Sequence, residues 1–182
     1  MMSPTHTASG VVLAVPLVVV APEFAAVGAL AGIAGGVFPD LDLVVGEHRR
    51  TLHFPVYYWL LALPAAVAAA VSPSAMTVAL ALFTLSAAVH SVVDWFGAGP
   101  EPRPWADPSE QAVYLHVGDR WLAPKRWVRY DGAPEDLLLT GVLSVPGLYL
   151  FGETVRLLTV AGLVVGVAYT LVRKRVPDYV DI

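Results

Sequence analysis

The stretch AMTVALALFTLSAAVHSVVDWFG, residues 75–97, carries two signals at once. It begins as an unbroken apolar run, long enough for a hydrocarbon layer that takes about 20 residues to cross. It ends on His90 and Asp94, spaced i, i+4, so that both project from one helical face. Counting from Met76 at about 1.5 Å per residue, His90 lies roughly 21 Å along the helix, still inside a core about 30 Å thick. A histidine and an aspartate at that depth need a partner, water or an ion, which marks them as functional candidates. A hydrogen-bonded pair joining two helices is the plainer account of the same two residues.

The rest of the chain agrees with a membrane setting. Of its 182 residues, 57% are hydrophobic and only 14% charged, where soluble domains carry about 25% charge. Five further apolar segments can be marked at 7–21, 24–38, 55–72, 136–151 and 154–172, making six in all. A soluble all-helical bundle would need a polar stripe on its helices, and residues 55–72 and 75–89 have none. The expected fold is therefore all-α, an integral membrane helical bundle of about six apolar helices, four to six of them spanning. The 24–38 segment, at fifteen residues, is expected to be short. Residues 1–10 contain no Lys or Arg, so the first run reads as a retained helix rather than a signal peptide.

A single domain is expected, in three parts. Residues 1–97 hold helices one to four, 98–135 form a cytoplasmic or interfacial aromatic and basic loop, and 136–182 hold helices five and six with a basic tail. The loop contains three of the five tryptophans (Trp105, Trp121, Trp127) and a candidate turn at Gly118-Asp119. It reads as a small hairpin or amphipathic piece at the membrane surface. Short turns join segments one to two, three to four and five to six on one side. Of the eleven Lys and Arg residues, all but Arg156 fall on the other side. The positive-inside rule makes that side cytoplasmic, with both termini there, in the cell (plasma or inner) membrane.

The ionisable residues follow the same division. His6 precedes the first segment, Asp40 and Asp42 follow the second, His48 and His53 sit before the third, and His90 and Asp94 close the fourth. An even number of crossings separates each group, so all of them end on one face. Imidazole and carboxylate together form the ligand set of zinc, manganese or iron. With no cysteine, thiolate sites and disulfides are excluded. A net charge of −4 and the lack of a basic face argue against a nucleic-acid partner. His116, among aromatics, reads as a surface or interface residue.

Four of these elements occur in a characteristic order. His6 lies ahead of the first helix and Pro39-Asp40-Leu41-Asp42 ends the second. His48-Arg49-Arg50-Thr51-Leu52-His53 follows, and His90-Ser91-Val92-Val93-Asp94 comes last. Over residues 1–97 the chain resembles the YdjM-like family of LexA-binding, inner-membrane-associated metal-dependent hydrolases. The family's middle element reads H-R-G-x-T-H-S, and this chain has Arg50, Leu52 and Phe54 at the Gly, Thr and Ser positions. The departures remove two hydroxyls that would orient ligands.

The resemblance implies a metal-dependent membrane hydrolase, and the depth of the site, at the cytoplasmic headgroups, points to an ester or phosphoester substrate, a lipid among the candidates. His6, Asp40, Asp42, His48, His53, His90 and Asp94 would ligate one or two divalent ions or orient the ligands, zinc first and manganese or iron next. Asp40, His48, His53, His90 and Asp94 form the catalytic set, and Arg49 is expected to bind a substrate phosphate. Partners would be the bilayer, a phospholipid or small phosphoester, and a regulatory protein. Two other classes compete. A non-catalytic membrane protein would bind a regulator through residues 98–135. A conduit would need ionisable groups through the whole bilayer depth, and the far half offers only Glu23, Glu153 and Arg156 near its turns.

Overall fold

A computed structural model describes residues 1–179. Every apolar segment is helical: α1 (Ser3–Leu13), α2 (Leu17–Val20), α3 (Pro22–Val37), α4 (Tyr57–Val71), α5 (Ala75–Val93), α6 (Pro134–Tyr149) and α7 (Glu153–Val172). The first segment is split because Pro16 has no N–H to donate and its ring crowds the preceding turn. The second segment is longer than expected. At Phe38 the α-helix tightens into a 3-10 helix, Phe38–Leu43, and the continuous rod runs 22 residues from Pro22 to Leu43. Pro39 falls in the first turn of the 3-10 helix, where a missing N–H goes unnoticed. Asp40 and Asp42 therefore sit on the tip of a helix and not in a loop.

Four helical stretches are long and apolar enough to cross a membrane: Ser3–Val20, Pro22–Leu43, Ala75–Phe96 and Glu153–Val172. Helix α4 is apolar but shorter, at 15 residues. The outer surface is correspondingly apolar, with Leu60, Leu61, Val67, Leu157, Val164 and Leu171 exposed. The interior is small and polar by comparison. Alanines fill much of it, and His6, Asp42, His53, His90, Asp94 and Asp136 are buried.

Helix α3 packs against α1 and α5, α4 leans on α5, and α6 and α7 close against α1. Glycine sets the α1–α3 spacing. A methyl group on Gly10 would overlap the Gly32 carbonyl, and one on Gly36 would come 2.6 Å from the His6 carbonyl oxygen. This is the close backbone approach that small residues permit between apolar helices. Helix α6 is pinned to α1 by Asp136, whose carboxylate accepts from the Met2 amide (2.8 Å), the Gly132 amide (2.9 Å) and the Thr5 hydroxyl (2.6 Å).

Residues 98–133 do fold into a hairpin, and it is docked to the helical bundle. Strands β1 (Val113–Leu115) and β2 (Arg120–Leu122) pair antiparallel, Tyr114 opposite Trp121. The turn puts Asp119, not Gly118, in the left-handed region (φ 47°). The Tyr114 amide donates to the Arg49 carbonyl at 3.0 Å, and the amides of Lys125 to Val128 donate to the Trp95, Phe96 and Gly97 carbonyls at the end of α5. At the far edge Asp131 binds Arg173 through two 2.8 Å hydrogen bonds. The segment is a cap over one end of the bundle.

The tight crossing makes a testable pair. Gly32→Leu should force α1 and α3 apart and lower the melting temperature in detergent, an overpacking loss of about 1–3 kcal/mol. Gly141→Ala, where an added methyl meets nothing within 4 Å, should leave melting unchanged or raise it, by about 0.5–1 kcal/mol.

Candidate metal centre

The cap and the ends of α3 and α5 enclose four donor atoms that converge on one point: Asp40 Oδ1, His53 Nε2, His90 Nε2 and Asp94 Oδ2, all within 4.8 Å of one another. They arrive from three local devices. Asp40 comes from the 3-10 extension of α3, His53 from the loop before α4, and His90 and Asp94 from the last turn of α5 and its C-cap.

The proton inventory decides what the cluster can do. His90 Nδ1 donates to the Gly36 carbonyl at 2.7 Å. His53 Nδ1 donates to Asp42 Oδ2 at 2.8 Å. In each ring the neutral tautomer then leaves Nε2 as a bare acceptor. The two Nε2 atoms face each other at 3.2 Å, with Asp94 Oδ2 at 3.2 Å from His53 and 3.5 Å from His90. Asp40 Oδ1 adds distances of 3.3 Å to His90 and 4.0 Å to His53. With both imidazoles neutral the four lone pairs repel unless a cation lies at their centre; a proton on either Nε2 would instead bond that ring to Asp40 or Asp94. A tetrahedral zinc with ligands about 2.0–2.1 Å away spaces its donors about 3.3–3.4 Å apart. The edges found here lie near that figure, except the one from Asp40 to His53 at 4.0 Å, which makes the Asp40 corner looser on that side. The cluster could hold a metal ion, and its two nitrogens and two oxygens suit zinc, manganese or iron.

The remaining expected residues support this group. Asp42 is fully enclosed and accepts from His53 Nδ1, from His48 Nδ1 at 2.7 Å and from the Leu52 amide at 3.2 Å. Asp42, His48 and His53 form a second set close enough for an ion, but the Nδ1 protons of both histidines already occupy its carboxylate. We read it as the buttress that fixes the tautomer of His53. His6 lies outside both sets. Its ring stacks on His90 with centroids 3.6 Å apart, and its Nε2 is 3.1 Å from Asp94 Oδ1, the oxygen turned away from the cluster. The amino group of Met1 shares that oxygen at 2.6 Å.

Arg49 differs from expectation. It is buried, its Nε lies 3.5 Å from Asp94 Oδ2, and its Nη1 donates to the Ala98 and Ala112 carbonyls. The guanidinium bridges Asp94 and the cap, and it also lines the cleft beside Asp40. It is Arg49 and not Arg50 that adopts a positive φ, 62°, so the backbone does not require glycine at position 50. The hydroxyls expected at 52 and 54 have substitutes as well. The Leu52 amide holds Asp42, and the Phe54 amide donates to Ser91 Oγ at 3.2 Å. His116 packs on Phe54 in the cap, where burial and then Arg50 lower its pKa below the usual histidine value.

Sequence reasoning missed Ser3, which donates to Asp40 Oδ2, as well as Ser91 and the Gly36 carbonyl. Ser91 adjoins His90 and could have been suspected from that. A backbone acceptor leaves no mark in a sequence.

A cleft of about 400 Å³ opens beside the cluster, lined by Asp40, His48, Arg49, Glu101 and Arg173 among others. Of the four donor residues only Asp40 reaches it. No family model matches this sequence, and neither does any curated protein or solved structure.

Elemental analysis of the purified chain should find about one divalent ion per chain, held by His53, His90 and Asp94 with Asp40 beside them. His90→Ala and Asp94→Ala should each abolish it. Asp42→Asn should leave the donors in place but weaken zinc binding about 10–100-fold, the usual effect of releasing a ligating histidine from its partner.

Proposed function

We propose that the protein is a metal-dependent hydrolase of the membrane, cutting an ester or phosphoester at the cytoplasmic interface. The observation that carries this reading is the convergence of His53, His90 and Asp94 on one point, with Asp40 at the corner that meets a cleft. Metal sites that only stabilise a fold are closed on all sides, whereas catalytic ones keep a position for water or substrate. The order of the four motifs, which resembles the YdjM-like hydrolases, supports the same reading. The four candidate spans and the gathering of basic residues at the cluster's end support the multi-pass placement with both termini cytoplasmic.

A divalent ion held there would supply the Lewis acidity that polarises the scissile carbonyl or phosphoryl group and brings the pKa of water toward about 7. The protein's own groups have separable tasks. His53, His90 and Asp94 form the tight face of the cluster, with edges of 3.2 to 3.5 Å. Asp40, at the looser corner and in the cleft, orients the attacking water and accepts its proton. The hydroxyl adds to the carbonyl carbon or phosphorus, the bond to the alcohol oxygen breaks, and the alcohol leaves with a proton. Asp42 and Gly36 keep both imidazoles in the required tautomer.

A second reading, a non-catalytic protein that displays its cap to a regulatory partner, is favoured by the exposed Trp127 and Val117 in the cap, 74% and 61% accessible.

The two readings separate on one comparison. Asp40→Asn should keep its metal and lose about 10²–10⁴-fold in hydrolysis of phosphoester or ester substrates, whereas His53→Ala should lose metal and activity together. A wild-type protein loaded with metal but inert toward every ester and phosphoester offered, and retaining its partner after His53→Ala, would replace the hydrolase with the partner-binding protein.

A further inference from the structure

A second cavity, of about 250 Å³, adjoins the cleft. It runs between α1 and α7, walled by Thr7, Val11, Ile33, Leu158, Gly162 and Val165, and no charged side chain lines it. Two of its hydroxyls serve their own helices: Thr7 donates to the Pro4 carbonyl at 2.9 Å and Thr159 to the Val155 carbonyl at 2.8 Å. The wall is therefore apolar in effect. Ser3, Pro4 and Val165 line both cavities, so the dry groove and the polar cleft meet at the start of α1. From Ser3 to Val11 the groove follows α1 for about 12 Å.

Two features restrict what could occupy it. An α-helix with its side chains is about 10–12 Å across, far too wide for this volume, which excludes a helix from a second copy. Its outer wall is α7, where Leu158 and Val165 are 44% and 56% exposed, so the groove reaches the flank that would face lipid. An apolar slot open to that side, ending beside Asp40, has the form of a site for a molecule with one alkyl chain and a polar head.

We propose that the groove takes the alkyl chain of a single-chain amphiphile whose ester or phosphoester head lies in the cleft at Asp40. This names the substrate class of the proposed hydrolase and rests on that reading for the chemistry, though not for the binding. Gly162 keeps the slot open. A methyl added there meets only Thr7 Oγ1, at 3.8 Å, so a larger side chain fills the groove without striking backbone.

The test uses the full chain in lipid nanodiscs, with dodecyl phosphonate bearing a terminal diazirine as a non-hydrolysable probe. Photolabelling should map to α1 and α7 around Val11 and Leu158, and Gly162→Leu should remove it while metal content stays at the wild-type level. Ala161→Trp, at an exposed position on the same wall, should also block it, so the result does not hang on one variant folding. In parallel, nitrophenyl laurate and dodecyl nitrophenyl phosphate should be preferred over their butyl counterparts by about tenfold or more, given the contribution of each buried methylene. Gly162→Leu should erase that preference. Labelling of the groove without hydrolysis of any compound would keep the chain site and remove the hydrolase. Hydrolysis indifferent to chain length and to Gly162→Leu, or labelling spread over the outer surface, would overturn the groove and leave the hydrolase standing.

Discussion

The Nδ1 protons of His53 and His90 are committed to Asp42 and to the Gly36 carbonyl, and much of the architecture follows from where that leaves the other two nitrogens. With both rings neutral, two Nε2 atoms and two carboxylate oxygens at 3.2 to 4.0 Å would form a pocket of negative potential in a buried setting. Burying charge without a counter-charge is expensive, so the interior has to be organised to tolerate it. Arg49, His6 and the Met1 amino group all approach Asp94, and Ser3 approaches Asp40. These groups temper the cluster from its rim. None of them occupies its centre.

The helical frame serves the same end. The glycine-mediated approach of α1 to α3 draws the His6 turn against Gly36, whose carbonyl sets the tautomer of His90. The 3-10 extension of α3 swings Asp40 and Asp42 to opposite duties, one a donor and one a buttress. The cap then closes the open end by backbone hydrogen bonds to Arg49 and to residues 95–97. A peripheral helix such as α4 touches mainly α5 and contributes no donor.

Much of this was legible in the chain. The residue types His6, Asp40, Asp42, His48, His53, His90 and Asp94 stood out because the surrounding sequence is so apolar, and parity of crossings placed them on one face. All six apolar segments were readable as helical for the same reason, though not the split of the first at Pro16. What the sequence concealed were relations decided by rotation and by backbone. Phe38 to Leu43 continue a helix because a proline at the start of a 3-10 turn costs nothing, although proline usually signals a stop. His6 looked equivalent to the other histidines until its ring was seen stacked behind His90. Arg49 read as an exposed basic loop residue, yet it is buried and bonded to two carbonyls of the cap. The docking of the hairpin depends on main-chain amides, which every residue but proline possesses.

The distribution of donors along the chain has a consequence for how the protein is made. The four donor residues lie between positions 40 and 94, so the ion-binding geometry is encoded before the cap and before α6 and α7 are synthesised. A nascent chain that has just released Asp94 holds every donor but neither its roof nor the second wall of the groove. Capture of an ion and closure by the cap would thus be separable events, since the order of the elements presents all four donors before residues 98–133 cover that end.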